Sequence, residues 1–219
     1  MIAILDYGAG NQTSVRRALD FIGIEAVVTD DRLQIEQSSG LIFPGVGAAG
    51  QAMRSLSEHG LDVLLREWAA AKRPLLGVCL GSQILLEYSE ENNTHTLGIL
   101  PGSTRLFSSD LQEEDGRPVS IPHMGWNSVT LEQPCILFEG ISPQTEFYFV
   151  HSYYTIPAPE YVLGVTFYGQ KFCSVLGRDG LWATQFHLEK SGPAGLKILE
   201  NFCRYCGQPA KTAPKTGKP

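Results

Sequence analysis

Three times before Tyr88 the chain passes from an apolar run into a glycine-rich turn and then into a helical pattern. Ile2–Leu5 leads into Asp6-Tyr-Gly-Ala-Gly-Asn11, and Gly40–Phe43 leads into Pro44-Gly-Val-Gly-Ala-Ala-Gly50. The apolar residues after Pro74 lead into Gly77-Val-Cys-Leu-Gly-Ser-Gln83. Short, continuously apolar runs read as strands covered on both faces, and their alternation with helical patterns predicts a parallel α/β sheet. In such sheets function gathers at the carboxyl ends of the strands. All three turns fall there.

The helical patterns fill in the rest of this half. From Thr13 or Ser14, both N-cap residues, a helix is predicted to about Phe21, with Val15, Ala18, Leu19 and Ile22 at helical spacing. Ala26–Thr29 is a second strand. One helix follows Gly50 and another begins near Leu61, with Leu64, Leu65 and Trp68 on one face. The pair Gly8 and Gly10 matches part of a dinucleotide-binding fingerprint, but Thr13 stands where the third glycine belongs. That reading is set aside.

From Asn92 onward helical periodicity fades. Strands are predicted over Thr104–Phe107, Met124–Leu131, Glu146–Tyr154, Leu163–Tyr168, Phe172–Leu176 and Leu181–Phe186, with Gly177-Arg-Asp-Gly180 as a hairpin turn. Ser191–Cys206 restores a helix whose inner face carries Leu196, Leu199 and Phe202. The expectation is an α/β fold with three layers: a flavodoxin-like mixed sheet, parallel in its N-terminal half and β-rich in its C-terminal half, with helices on both faces. It spans residues 1–207. The Pro/Lys/Thr-rich stretch 208–219 is expected to be a disordered tail.

Charge and cysteine usage narrow the class of protein. A net charge of −6 argues against nucleic acid or an anionic membrane as the main partner. There is no apolar run of about 18 residues or more, so no membrane span is expected. Met1–Asp6 reads as a buried first strand and not as a signal peptide. Five cysteines, odd in number and unevenly spaced, do not form a disulfide framework, which places the chain in a reducing, cytoplasmic setting. Cys203 and Cys206 form a lone CxxC with no second pair at ligand spacing, so neither a metal nor a cofactor is expected. Cys203 is assigned to the core.

Chemistry centres on Cys79. Gly-x-Cys-x-Gly between a strand and an amphipathic helix is the cysteine form of a nucleophile elbow, in which glycines permit a turn that larger residues block. A cysteine there faces the positive end of a helix dipole, which favours thiolate over thiol. A buried structural cysteine is the bland alternative. Both flanking glycines and the strand-to-helix context count against it. A cysteine nucleophile needs a base and a group that orients the base. His59 and His95 lie in polar turns and are expected to be solvated. His187 follows the strand Leu181–Phe186, and Glu189 lies two residues on, where extended backbone would point both side chains the same way. His123 and His151 are placed near the site or an interface, outside the triad.

Gly77-Val-Cys-Leu-Gly-Ser-Gln83 and Gln185-Phe-His-Leu-Glu-Lys-Ser191 resemble the two hallmark motifs of class I glutamine amidotransferases. Asp6–Asn11, Phe43–Ala48, Pro122-His-Met-Gly-Trp-Asn127 and Tyr148-Phe-Val-His-Ser-Tyr153 resemble, within that superfamily, the glutaminase subunits of imidazole glycerol phosphate synthases. The match runs from Ile2 to about Cys206. Two residues depart from the pattern: Leu188 stands where proline is usual, and Ser82 where an apolar residue is common.

The resemblance implies a Cys79–His187–Glu189 triad that hydrolyses glutamine through a thioester. It implies an oxyanion hole from the Leu80 amide and the Gly45–Val46–Gly47 segment. Gln83, Glu91 and the backbone of Ser152 and Tyr153 would hold glutamine. The implied partner is a (β/α)8-barrel cyclase, bound as a heterodimer through Asn11, His123, Met124, Gly125 and Trp126, that uses the ammonia in histidine biosynthesis. A glutaminase feeding a different synthase is a close variant. A stand-alone cysteine amidohydrolase would share the triad but has no use for the Pro122–Asn127 and Asp6–Asn11 segments. The intact triad residues count against a non-catalytic binding module.

Overall fold

The computed structural model describes residues 1–8, 11–112 and 116–209. Its N-terminal half alternates as the apolar pattern requires: β1 (Ile2–Leu5), α1 (Gln12–Phe21), β2 (Ala26–Thr29), α2 (Arg32–Gln37), β3 (Gly40–Gly45), α3 (Ala49–Glu58), α4 (Leu61–Ala70), β4 (Leu75–Cys79) and α5 (Leu80–Gln83). The short helix α2 was not legible in the apolar spacing. It is set by Asp31, whose carboxylate accepts from the Gln34 amide at 3.0 Å as an N-cap.

The remaining strands are β5 (Tyr88–Ser89), β6 (Thr94–His95), β7 (Gly102–Leu106), β8 (His123–Ser128), β9 (Thr130–Leu131), β10 (Glu146–His151), β11 (Tyr153–Pro157), β12 (Val162–Tyr168), β13 (Gln170–Arg178) and β14 (Leu181–Thr184), followed by α6 (Gly192–Tyr205). One mixed sheet runs β2-β1-β3-β4-β14-β13-β11-β7-β5-β6, with β12 on β13 and β9 on β12. Pairing is parallel from β2 across to β14 and antiparallel from β14 to β13, β11 and β7. β8 and β10 form a separate antiparallel ribbon.

Side chains of the parallel strands divide by alternation between two cores. Ile2, Ile4, Ile42, Leu76 and Val78 pack with Val15 and Leu19 of α1 and with Ile198, Leu199 and Phe202 of α6. Ala3, Leu5, Leu41, Phe43 and Leu75 pack on the opposite face with Ile35, Leu56, Leu64 and Trp68. Such a period-two split puts helices on both faces, giving the three layers expected. The Asp179-Gly180 turn between β13 and β14 has φ of +53° and +92°, the left-handed pair a two-residue hairpin needs.

Several boundaries differ from expectation. The run Glu146–Tyr154 is two strands, β10 and β11, which part at Ser152 and enter different sheets. Met124–Leu131 divides in the same way into β8 and β9. Apolar periodicity carries no sign of such a change of partner. The helix after Cys79 is a single turn, wholly buried and therefore not amphipathic. Leu196 is half-buried, while Leu199 and Phe202 are fully buried. Gln208, assigned to the tail, still caps α6 by donating its amide to the Cys203 carbonyl at 2.8 Å. Gly10 and the tail from residue 210 lie outside the described residues. All five cysteines are free thiols. Among the described residues no helix is long and apolar enough to cross a membrane.

Candidate active site

The elbow is built from close backbone packing. Cys79 ends β4 with φ of +54°, a conformation that costs a non-glycine residue about 1–3 kcal/mol and persists only where the surroundings impose it. The surroundings here are glycines. A Cβ at Gly81 would collide with the Phe43 carbonyl oxygen, one at Gly45 would lie 2.8 Å from the Gly81 nitrogen, and one at Gly77 3.0 Å from the Gly81 oxygen. The glycines thus let the elbow press against the end of β3. Ser82, at an ordinarily apolar position, is fully buried and donates its hydroxyl to the Cys79 carbonyl at 2.7 Å. Because α5 is one turn long, its dipole is a small contribution; the ionisable group bonded to Cys79 is His187, three residues beyond β14.

β14 runs parallel to β4, with Thr184 beside Val78, so the segment after it arrives next to Cys79. His187 does not continue the strand. It precedes a 3₁₀ turn, Leu188–Lys190, and that turn, not extended backbone, brings the Glu189 carboxylate to the imidazole. His187 Nδ1 and Glu189 Oε1 are 2.8 Å apart, with side chains 3% and 1% exposed. Ser191 fixes the turn: its hydroxyl donates to the His187 carbonyl at 2.6 Å and accepts from the Tyr148 amide at 2.9 Å. Leu188, where proline is usual, is buried in the core and leaves this arrangement intact.

Burial alone would lower the His187 pKa, but hydrogen bonds to Cys79 and Glu189 outweigh it and raise the value to about 10. For Glu189, burial pushes up and the bond to His187 pulls down, and the net shift is downward. The charged form of the His187 ring is therefore favoured where it sits between the Cys79 sulfur and the Glu189 carboxylate.

Asn11 was assigned to a partner surface. It occupies the N-cap position of α1 but makes no side-chain cap bond. Its amide instead donates to Glu189 Oε1 at 2.9 Å and so ties the start of α1 to that carboxylate.

Cys79 and His187 open into a pocket of about 290 Å³ bounded by Val46 and Gly47, by Leu80, Gln83 and Glu91, and by Val150–Tyr153. Val46 is 39% exposed and Gly47 has φ of +89°, while Gly45 lies buried behind them against the elbow. Ala48 provides no side-chain cap for α3; Glu91 supplies one, its Oε2 accepting from the Ala49 amide at 2.6 Å. The Val46–Gly47 segment is thus tethered at both ends. Both N–H groups of the Gln83 amide are engaged, with the Tyr153 carbonyl at 2.9 Å and Gln185 Oε1 at 3.0 Å.

The residues expected at an interface separate. Met124 and Trp126 are 62% and 54% exposed, and Gly125 is half-buried between them. His123 is buried and faces inward. His59 and His95 are exposed, as expected. Three features of the site had no reading in the sequence. Gln185 Nε2 lies 3.7 Å from Cys79 Sγ. Lys190 borders the pocket, and its position next to Glu189 was the available clue. The Tyr7 hydroxyl, 3.0 Å from where a Gly45 Cβ would stand, is buried without a hydrogen-bond partner among the described residues.

Residues 3–206 match the family described as glutamine amidotransferase class-I. A protein of Nitratidesulfovibrio vulgaris named imidazole glycerol phosphate synthase subunit HisH is 58% identical over 96% of this chain and 99% of its own. One of the same name from Maridesulfovibrio salexigens is 56% identical over 94% and 97%. Among solved structures, a glutamine amidotransferase superposes with a TM-score of 0.70 at 19% identity, over 94% of this chain and 98% of that one, a likeness of fold.

Proposed function

This chain belongs to the class-I glutamine amidotransferase family, and on that premise we propose that it is the glutaminase subunit of an imidazole glycerol phosphate synthase in histidine biosynthesis. The observation that carries this reading is identity of 56–58% with HisH subunits over nearly the full length of both chains.

In this reading Cys79 has given its thiol proton to His187, and the resulting thiolate Sγ attacks the carboxamide carbon of glutamine. The carbonyl oxygen gains the negative charge, and one well-placed donor to it is worth about 3 kcal/mol of transition-state stabilisation. The Leu80 amide is one donor. The Val46–Gly47 segment supplies the other, and glycine on either side of Val46 makes reorientation of that peptide cheap. As the tetrahedral species collapses, the C–N bond breaks and the His187 imidazolium gives its proton to the departing nitrogen, which leaves as ammonia. His187, now neutral, takes a proton from water; the hydroxide attacks the thioester, and glutamate leaves as Cys79 is restored. Glu189, steadied by Asn11, keeps the imidazole aligned throughout. Gln83 and Glu91 face the polar end of glutamine, and the Ser152–Tyr153 backbone receives its carboxylate.

Ammonia protonates in water and is then no nucleophile, so its consumer must be docked over the site. The partner we propose is a (β/α)8-barrel cyclase, bound as a heterodimer in the cytoplasm through the exposed Met124 and Trp126 and through Asn11 and Gly125. It uses ammonia to form imidazole glycerol phosphate and an aminoimidazole carboxamide nucleotide.

The test is glutamine hydrolysis measured with the chain alone and with the cyclase and its nucleotide. Weak turnover alone and strong stimulation by the partner is the expected result. High, partner-independent hydrolysis of amides or peptides would overturn the assignment.

A further inference from the structure

Two histidines that take no part in the chemistry form a continuous bonded path from the strand carrying Met124 and Trp126 to the pocket. His123 and His151 stand directly opposite each other on β8 and β10. His123 Nδ1 and His151 Nε2 are 3.0 Å apart, and His151 Nδ1 lies 2.7 Å from the Tyr153 carbonyl oxygen. Asn127 Nδ2 approaches His123 Nε2 at 3.4 Å. His123 is stacked between Tyr168 and Phe149, with ring centroids at 3.9 and 4.8 Å.

Chemistry fixes where the protons are. A carbonyl can only accept, so His151 Nδ1 carries hydrogen. In a neutral ring Nε2 is then a bare acceptor. His123 must therefore donate from Nδ1, and its own Nε2 accepts from Asn127. Both rings are buried, 2% and 6% exposed, and burial lowers their pKa to about 4 and about 3. The His187 imidazolium adds to the cost of charging His151. Two neutral imidazoles of defined tautomer thus join β8 to Tyr153.

The two ends of this path matter. On β8, Met124 and Trp126 point outward from the same strand that turns His123 inward. At the other end the Tyr153 carbonyl also receives the Gln83 amide, at 2.9 Å, so one oxygen is held by a pocket residue and by the histidine relay. Ser152, where β10 gives way to β11, borders the pocket between them.

Resting on the glutaminase reading, we propose that His123 and His151 are positioning residues that transmit the placement of the docking strand β8 to the Ser152–Tyr153 segment and so set the affinity for glutamine. They touch no reacting atom. A displacement of β8 by a bound partner moves His123, and the bonded pair carries it to the peptide that receives glutamine.

The experiment pairs kinetics with nitrogen-15 spectra of histidine-labelled protein. His123→Phe keeps the aromatic stack but removes the donor, and His123→Asn returns a donor close to the Nδ1 position. In purified complex with the cyclase, His123→Phe should raise the glutamine KM about tenfold, the worth of one hydrogen bond, with kcat changed less than about threefold. His123→Asn should recover most of that loss. Spectra of the wild-type chain should show both rings as neutral Nδ1–H tautomers at pH 7, and in His123→Phe the His151 Nε2 signal should shift as it loses its donor while Nδ1–H stays bound to the Tyr153 carbonyl. An unchanged KM in His123→Phe, an equal loss in both variants, or Nε2–H tautomers would overturn the proposal. The spectra need neither glutamine nor partner, so they separate failure of the relay from failure of the glutaminase reading.

Discussion

Two histidine clusters flank one pocket and are driven in opposite directions. His187 and His151 are both buried, yet the first has its pKa raised to about 10 and the second has it lowered to about 3. The difference lies in the neighbours. His187 has Glu189 and the Cys79 sulfur, which favour the charged ring. His151 has a carbonyl, a neutral imidazole and a nearby cation. Burial by itself favours the neutral ring, so the bonds to Cys79 and Glu189 are what suit His187, in the proposed reading, to act as a general acid. One region is built to move a proton. The other is built to keep its protons fixed.

Removing the carboxylate should break this contrast most strongly. Glu189→Gln leaves the His187 ring buried without its counter-charge and lets it adopt the wrong tautomer. Glutamine-dependent turnover should fall on the order of a thousandfold, as for comparable triad substitutions. Titration of His187 followed by NMR should show its pKa dropping toward that of a buried neutral histidine. A variant that kept its turnover would assign Glu189 a structural role only.

Asn11→Ala is a milder perturbation of the same pair. It removes the 2.9 Å bond to Glu189 Oε1. One hydrogen bond to a charged group is worth roughly 1.5–3 kcal/mol, so kcat should fall about tenfold or more. If Asn11 served docking alone, complex formation would weaken while turnover of the saturated complex stayed the same.

The contrast also reaches stability. The folded-state pKa of His187 lies above its unfolded value near 6.5. Its contribution is therefore fully present below about pH 6.5 and is lost as pH rises toward 10. His123 and His151 have folded pKa values below 6.5. Their contribution is present above that pH and is lost as pH falls toward 4. Unfolding midpoints in denaturant should therefore decline on both sides of neutrality. Cys79→Ala should flatten the alkaline limb, and His123→Phe the acidic one. If both variants altered the same limb, the opposed electrostatics would be wrong.

The parts of this molecule that were legible in sequence are those fixed by local geometry. The glycines at 77 and 81 mark the elbow because a Cβ at Gly81 would collide with the Phe43 carbonyl and one at Gly77 would crowd the Gly81 oxygen, and apolar runs mark the parallel strands. His187 and Glu189 were recognised as a pair, though a 3₁₀ turn joins them where extended backbone was expected. The β-rich half was less legible. Parting of β10 from β11 at Ser152 depends on which distant strand each meets, and no local pattern records that. The contact of Gln185 with Cys79 and the bonds Asn11–Glu189 and His123–His151 were not legible for the same reason: each depends on a neighbour far away in the chain. Cys79, Gln83, Glu91, Ser152 and Tyr153 line one pocket.

The most direct measurement compares synthesis from glutamine with synthesis from added ammonium in a complex carrying Cys79→Ala. Loss of glutamine-dependent product to background, with ammonium-dependent synthesis by the partner retained, is the predicted result, because in the proposed reading Cys79 generates ammonia and the partner consumes it elsewhere. Loss of both activities, or retention of both, would contradict the assignment of Cys79 as the nucleophile.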